Sequence, residues 1–182
     1  MSRRAWSVLL VACAAAAAQA QQGFEQEFED ENKPWREVQA QLPAYPKNEN
    51  LFQLQGPAAV PYRYFIDTVS IAVDGDGVVR YSLIVRTPGG AENVSFEGIR
   101  CESRERRLYA FGRPDGSWSR ARGSRWERIE GNIRQAQHHM MLYHDFFCPD
   151  GRIVRDKDEI MRGLRLGLNP RIDELQRSWG GD

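Results

Sequence analysis

The sequence predicts an α+β fold, with an antiparallel meander of about four to five strands followed by two to three helices packed on one face. Three observations predict it. Short runs rich in β-branched and aromatic residues succeed one another from residue 51 to about residue 112, and Val78 to Arg86 alternates with a period of two. The interruptions are turn sequences too short for a crossover, so successive strands pair antiparallel. After residue 129 the apolar spacing becomes helical, and strands followed by helices place the helices on the sheet.

The elements follow in order. Leu51-Phe52-Gln53-Leu54 is a short first strand. Tyr64 to Val73 is rich in aromatic and β-branched residues, with Val69, Ile71 and Val73 expected on one face. Asp74-Gly75-Asp76-Gly77 turns the chain into Val78 to Arg86, where Val79, Tyr81, Leu83 and Val85 alternate with Arg80, Ser82 and Arg86. Pro88-Gly89-Gly90 turns it again. Val94 and Phe96 share one parity while Ile99 and Cys101 have the other, so a bulge is expected at Gly98 between them. Leu108 to Gly112 is a further strand, closed by Pro114-Asp115-Gly116. Ile129, Ile133, Ala136, Met140, Tyr143 and Phe147 then draw one helical stripe, whose start is blurred by Gly131 and Asn132. Pro149-Asp150-Gly151 is a turn. Asp156 with Glu159 three residues on opens a second helix carrying Ile160, Met161, Leu164 and Leu168. Asn169-Pro170 starts a final short helix with Ile172, Leu175 and Trp179 inward.

Before the strands come two segments of different character. Residues 1–20 have the form of a secretory signal peptide: Arg3 and Arg4, an apolar run from Ala5 to Ala18, and an Ala18-Gln19-Ala20 cleavage site. The run is short of the about 20 apolar residues that a spanning helix needs. Leu10-Val11-Ala12-Cys13 offers an alternative, cleavage to a lipid-anchored Cys13, but its apolar region is short and five alanines follow. The Arg3-Arg4 pair also fits a twin-arginine signal weakly; with no cofactor motif in the chain, the general secretory route is expected. Residues 21–50 form an acidic, proline-containing and mostly irregular segment, leaving 51–182 as a single domain. Glu25, Glu27, Glu29, Asp30 and Glu31 fall within seven residues, and Pro34, Pro43 and Pro46 interrupt any helix. Trp35, Val38, Leu42 and Tyr45 remain available to dock on the domain.

Export changes the charge and the cysteine count. The 182 residues carry 25 basic and 25 acidic groups. Removing residues 1–20 takes Arg3 and Arg4 and no acid, leaving 23 basic against 25 acidic. A nearly neutral chain argues against a general nucleic-acid binder. No later apolar run reaches spanning length. Of three cysteines, Cys101 and Cys148 remain, and an even pair in an oxidising compartment reads as a disulfide. The alternatives are a reactive thiol or a metal ligand, but no C-x-x-C pair is present.

The middle of the chain holds the candidate binding face. Residues 100–134 contain ten arginines against five acids, with Tyr109, Phe111, Trp118 and Trp126 interleaved. The residues singled out are Arg100, Arg104, Arg106, Arg107, Arg113, Trp118, Arg120, Arg122 and Trp126. Arginine forks fit phosphate and carboxylate and stack on aromatic rings. The competing reading is a solvent face of strands whose aromatics point inward, or a face covered by the acidic run at Glu25 to Glu31.

Other chemistry finds less support. His138, His139 and His144 point about 100° and 240° apart round one helix, so they cannot share an ion from it. Met140 and Met141 would suit a soft metal carrier, but Met140 lies on the core stripe. Asp74-Gly75-Asp76-Gly77 lacks a calcium loop's oxygen ligand at position five and its glycine at position six, where Val78 and Val79 stand. No G-x-S-x-G or phosphate loop is present. Asp67, Glu97 and Asp145 lie near apolar segments, and nothing in the sequence pairs them. No catalytic residue, metal site or cofactor is expected. Asn93-Val94-Ser95 is a glycosylation sequon of a common kind.

Trp35-Arg36-Glu37, Leu42-Pro43-Ala44-Tyr45-Pro46, Asp74-Gly75-Asp76-Gly77-Val78-Val79-Arg80-Tyr81, Glu97-Gly98-Ile99-Arg100-Cys101, Tyr109-Ala110-Phe111-Gly112-Arg113 and Phe146-Phe147-Cys148-Pro149 follow one another along the chain. In that order they resemble the cryptic neisserial protein family of uncharacterised exported proteins of Gram-negative bacteria. The resemblance implies a periplasmic or envelope location and supports the cysteine pair, and it brings no catalytic residue. The expected function is a non-enzymatic envelope domain that binds a partner protein or an anionic envelope ligand. The alternative is a small periplasmic enzyme, which a concave pocket with two convergent carboxylates, or a histidine beside one, would favour.

Overall fold

The structure is a computed structural model that describes residues 34–55, 61–130 and 137–172. The expected leader with Cys13, the acidic run, Ile133, Arg134, Ala136, Leu175 and Trp179 lie outside the described residues. The chain divides into two units between Glu37 and Val38. The described residues of the first, 34–37, carry no regular secondary structure. All strands and helices below belong to the second.

Seven antiparallel strands form one sheet among the described residues. They are β1 (Leu51–Leu54), β2 (Arg63–Val73), β3 (Val78–Arg86), β4 (Glu92–Arg100), β5 (Glu105–Gly112), β6 (Trp118–Arg120) and β7 (Glu127–Arg128). Strands β1 to β6 neighbour one another in sequence order, and β7 shares the outer edge of β5 with β6. The α+β class and the meander hold, but the strand count exceeds the expected four to five. The two additional strands are three and two residues long, too short to show a period of two, and exist only because β5 supplies their partners.

The sheet is buried on both faces, and this explains where the strand pattern misleads. Ile66, Tyr81, Leu83 and Ile99 face the helices, against Leu142, Phe146, Phe147, Ile160 and Leu164. Phe65, Ile84 and Val94 pack on the opposite face against Tyr45, Leu51 and Trp118. The β3–β4 register runs unbroken from Val78↔Arg100 to Arg86↔Glu92. The parity change at Gly98 is therefore no bulge in that ladder: Val94 and Phe96 fill one core, Ile99 and Cys101 the other. The bulge lies on β5, where Phe96↔Ala110 is followed by Glu97↔Leu108 and Tyr109 is the extra residue. The Tyr109 ring lies across Gly98, where a Cβ would come within 2.8 Å of the ring's Cε2.

A second irregularity splits β2, whose register jumps from Asp67↔Ser82 to Ala72↔Arg80. The Asp67 carboxylate accepts from the amides of Val69 and Ser70, and Ser70 Oγ accepts from the Ser82 amide at 2.8 Å. This loop turns Val69 outward, 59% exposed, while Ile71 is buried, so they do not share a face as expected.

The Asp74–Gly77 turn forms as expected, with Gly77 at φ 78° and its amide on Asp74 O. Its carboxylates have a structural partner. Arg80, almost fully buried, reaches Asp74 at 2.6 Å and Asp76 at 2.7 Å. Its second Nη donates to Val38 O, while Asp76 accepts from the Val38 amide. Beyond this anchor Trp118 Nε1 donates to Pro43 O and Tyr45 Oη to Arg113 O, so residues 38–45 lie on the sheet.

The helical layer is shorter than the stripe predicts. Helix α1 (Gln137–Met141) continues as a π-turn, Leu142–Phe147, with the Cys148 amide on Tyr143 O. The wider π-turn brings Leu142, Tyr143, Phe146 and Phe147 all into the core. Ile129 is buried in the loop after β7, its amide donating to Arg104 O. Helix α2 (Lys157–Leu166) starts at Asp156, whose side chain accepts from the Glu159 amide at 2.9 Å, and ends at Gly167 in the left-handed region. Cys101 and Cys148 form a disulfide, with Cα atoms 5.4 Å apart, between the end of β4 and the end of the π-turn. Among the described residues no helix is long and apolar enough to cross a membrane.

Candidate functional site

The β5 bulge sorts the arginine-rich stretch onto two faces. Residues directly opposite in a ladder share a face. Arg106 pairs with Ile99, Leu108 with Glu97 and Phe111 with Ser95, which puts all three on the helix-bearing face. Without Tyr109 as an extra residue, Leu108 and Phe111 would stand on opposite faces. Arg107 pairs with Gly98 on the other face, beside the Tyr109 ring at 5.7 Å. Trp118 and Arg120 follow it there, pairing with Gly112 and Ala110. Trp126 meets the Tyr109 ring edge-on, 6.4 Å away.

The remaining members of the expected set are spread out. Arg100 pairs with Glu102. Arg104 lies against Tyr143 at 5.9 Å and donates to Met140 Sδ at 3.3 Å, an inward and structural placement. Arg113 stands at the β5–β6 turn and donates to Ser119 Oγ. The nine residues therefore do not converge on one site. Part of the stretch is what the competing reading describes, a strand face whose aromatics pack.

What does converge is a groove of about 330 Å³ between β5 and the loop joining β6 to β7. Its floor is Leu108 and Phe111, and Phe111 is 52% exposed. Its walls are Arg106, Arg122, Ser124 and Arg125. Arg106 is held by Glu127 at 3.2 Å. Among the described residues, Arg122 and Arg125 have no acidic partner. Of the nine expected residues the groove keeps Arg106 and Arg122. It adds Arg125, Phe111, Leu108 and Ser124, which share the site through the bulge and the loop rather than through any spacing in the sequence.

A buried polar cluster adjoins this groove on the same face. Glu97 accepts from Ser95 Oγ at 2.6 Å and from Tyr81 Oη at 3.2 Å, and its Oε2 lies 2.6 Å from His139 Nε2. Burial pushes the Glu97 pKa up. The His139 charge and the hydrogen bonds from His139 and Ser95 outweigh it and hold the carboxyl below the ordinary range. Tyr81, fully buried, is driven well above its usual value by burial and the Glu97 charge, while Arg106 acts the other way. His138 stacks on Tyr64 with centroids 4.6 Å apart, and its ring is 3.9 Å from that of His139. Nδ1 of His139 is buried and makes no hydrogen bond among the described residues. Glu97 and His139 are 42 residues apart, so only the fold joins them.

The arrangement has definite chemical capacities. The groove presents cationic forks beside an apolar floor, as recognition of an amphipathic anion requires. The Glu97–His139 pair orients an imidazole but is enclosed. His144 is exposed and lies against Tyr143, apart from the other two histidines. Among the described residues no three His, Cys, Asp or Glu side chains are grouped to hold a metal ion.

Comparison with known proteins adds one finding. No curated protein and no solved structure matches the chain. The family model described as CNP1-like matches residues 30–165, a span running from before the first strand to the last turn of α2. On that match, the chain belongs to the CNP1-like family.

Proposed function

We propose that this protein is exported to the bacterial envelope and acts there as a non-enzymatic binding domain for an anionic ligand or an acidic partner surface. The leader-like residues 1–20 and the disulfide-forming cysteine pair support the location. One observation carries the binding role. Arg122 and Arg125 stand beside an exposed Phe111 in one groove, without an acidic partner among the described residues. Arg80, which the fold needs, is paired with Asp74 and Asp76, whereas Arg122 and Arg125 are exposed and stand together in the groove.

The test is titration of the full chain against anionic lipid vesicles and envelope glycans at two salt concentrations, with pull-down from envelope extract alongside. Binding that weakens as salt rises supports the reading, because exposed charges are screened within about 10 Å at 0.1 M salt. An unchanged partner set after charge reversal at Arg122 and Arg125 counts against it.

A second reading, a small enzyme, is favoured by His139 lying beside Glu97. It ranks second because both side chains are 7% exposed and neither lines the groove. Turnover of an envelope substrate that is lost in His139→Gln but kept in Arg122→Ala would promote it.

A further inference from the structure

We propose that the β5–β6–β7 groove is a site for a small phosphate monoester carrying an apolar group. The phosphate lies at Arg122, Gly123, Ser124 and Arg125, and the apolar group on Phe111 and Leu108. This rests on the anion-binding reading above and names the chemistry of the ligand.

The donors come first. Arg122, Gly123, Ser124 and Arg125 are consecutive and all line the groove. Among the described residues neither guanidinium makes a hydrogen bond within the protein, nor does the Ser124 hydroxyl, and Arg122 and Gly123 form a turn. The guanidinium and hydroxyl donors on this wall are open to solvent, so they can exchange water for the oxygens of a ligand. Two guanidinium forks and a hydroxyl offer more donors than the two oxygens of a carboxylate can use. A phosphate monoester, with three terminal oxygens and up to two charges, matches them better. Gly123 adopts φ 70°, and the position a Cβ would take there is open, so the ligand can approach the backbone.

The floor decides the rest of the ligand. Phe111 exposes half its surface on the face of the sheet that carries the helices, and Leu108 lies beside it. Glu127 is the acid in the groove, and it is occupied with Arg106, so the charge presented at the loop end is that of Arg122 and Arg125. A volume of about 330 Å³ is at the small end of ligand sites, which run from about 300 to 1,000 Å³. It has room for a phosphate and one ring or short alkyl chain. A concave site of that size favours a soluble small ligand over a membrane surface.

The experiment is calorimetric titration of the full chain with phenyl phosphate, inorganic phosphate and phenol. Phosphatidic acid in phosphatidylcholine vesicles is a fourth arm. Phenyl phosphate is expected to bind about tenfold or more tighter than inorganic phosphate or phenol, which is about 1.4 kcal/mol of added affinity. Arg122→Ala with Arg125→Ala is expected to abolish that binding. Phe111→Ala is expected to remove the preference for phenyl phosphate while leaving inorganic phosphate binding unchanged. Arg152→Ala with Arg162→Ala, exposed positions outside the groove, is expected to change nothing. Equal affinity for phenyl and inorganic phosphate overturns the proposal, as does binding confined to vesicles that phenyl phosphate does not displace. If glycan or vesicle binding still depends on Arg122 and Arg125 in that event, anion binding at this edge survives and only the ligand class fails. If no anion binds at all, both fail.

Discussion

Replacing Gly98 with alanine tests the packing that shapes the site. A glycine in a strand interior ordinarily gains stability from a methyl, by about 0.5–1 kcal/mol. At Gly98 the sign reverses. The added Cβ would lie 2.7 Å from Tyr109 Oη, 2.8 Å from Tyr109 Cε2 and 3.0 Å from Val78 Cγ1. Carbon pairs are comfortable only at about 3.5–4.0 Å. The ring is not free to swing away, because Trp126 meets it edge-on and the cations of Arg80 and Arg107 flank it. Overpacking of this kind costs about 1–3 kcal/mol, and the restraint on the ring places Gly98→Ala in the upper half of that range. In a Tyr109→Ala background two of the three close contacts vanish, and the same substitution costs about 1 kcal/mol or less. Urea unfolding of the four proteins measures the coupling. A midpoint shift of about 1 M is expected for Gly98→Ala alone, at a slope near 2 kcal/mol/M. An equal cost in both backgrounds, or stabilisation of the parent chain, would refute the β5 bulge and the face assignment that follows from it.

Three further outcomes follow from the same structure. Replacing both Cys101 and Cys148 with alanine is expected to cost about 4 kcal/mol, the chain-entropy value for a 47-residue separation; urea unfolding of the double variant beside the reduced parent measures it. Arg80→Met leaves Asp74 and the buried Asp76 without their cation, and about 3–5 kcal/mol is expected to be lost in thermal or urea unfolding, far more than a surface arginine would cost. Burial raises the Glu159 pKa, but Arg171 and Arg155 outweigh it and hold the group at about 2. A folded pKa below the unfolded one stabilises above about pH 4.5, and that contribution is lost as pH falls toward 2. Glu159→Gln is therefore expected to be less stable at pH 7 and to show a flatter stability profile between those limits.

The long strands were legible because each runs beside a neighbour with one apolar row per face. Strands β6 and β7 were not, since three and two residues carry no period. The parity change in β4 was visible, but its cause was not. A strand buried on both faces and a bulged strand look alike in one sequence, and only the β5 register distinguishes them. The stripe through Met140, Tyr143 and Phe147 announced a helix, but a π-turn adds Leu142 and Phe146 to the core from off the stripe. Composition located the arginine-rich segment. Which arginines share a face depends on Tyr109 shifting the parity of β5, which cannot be read from spacing. The pairing of Glu97 with His139 was hidden for another reason: it joins a strand to a helix 42 residues later.

The central claim is that anions bind at the groove formed by β5 and the β6–β7 loop, and charge reversal tests it most directly. The full chain, an Arg122→Glu/Arg125→Glu variant and a charge-matched Arg152→Glu/Arg162→Glu variant are titrated with phenyl phosphate at low and high salt. The account predicts salt-sensitive binding that the groove variant loses and the matched variant keeps. Equal loss in both variants would contradict it, because net charge rather than the groove would then govern binding. Salt-insensitive binding by the parent chain would contradict it as well.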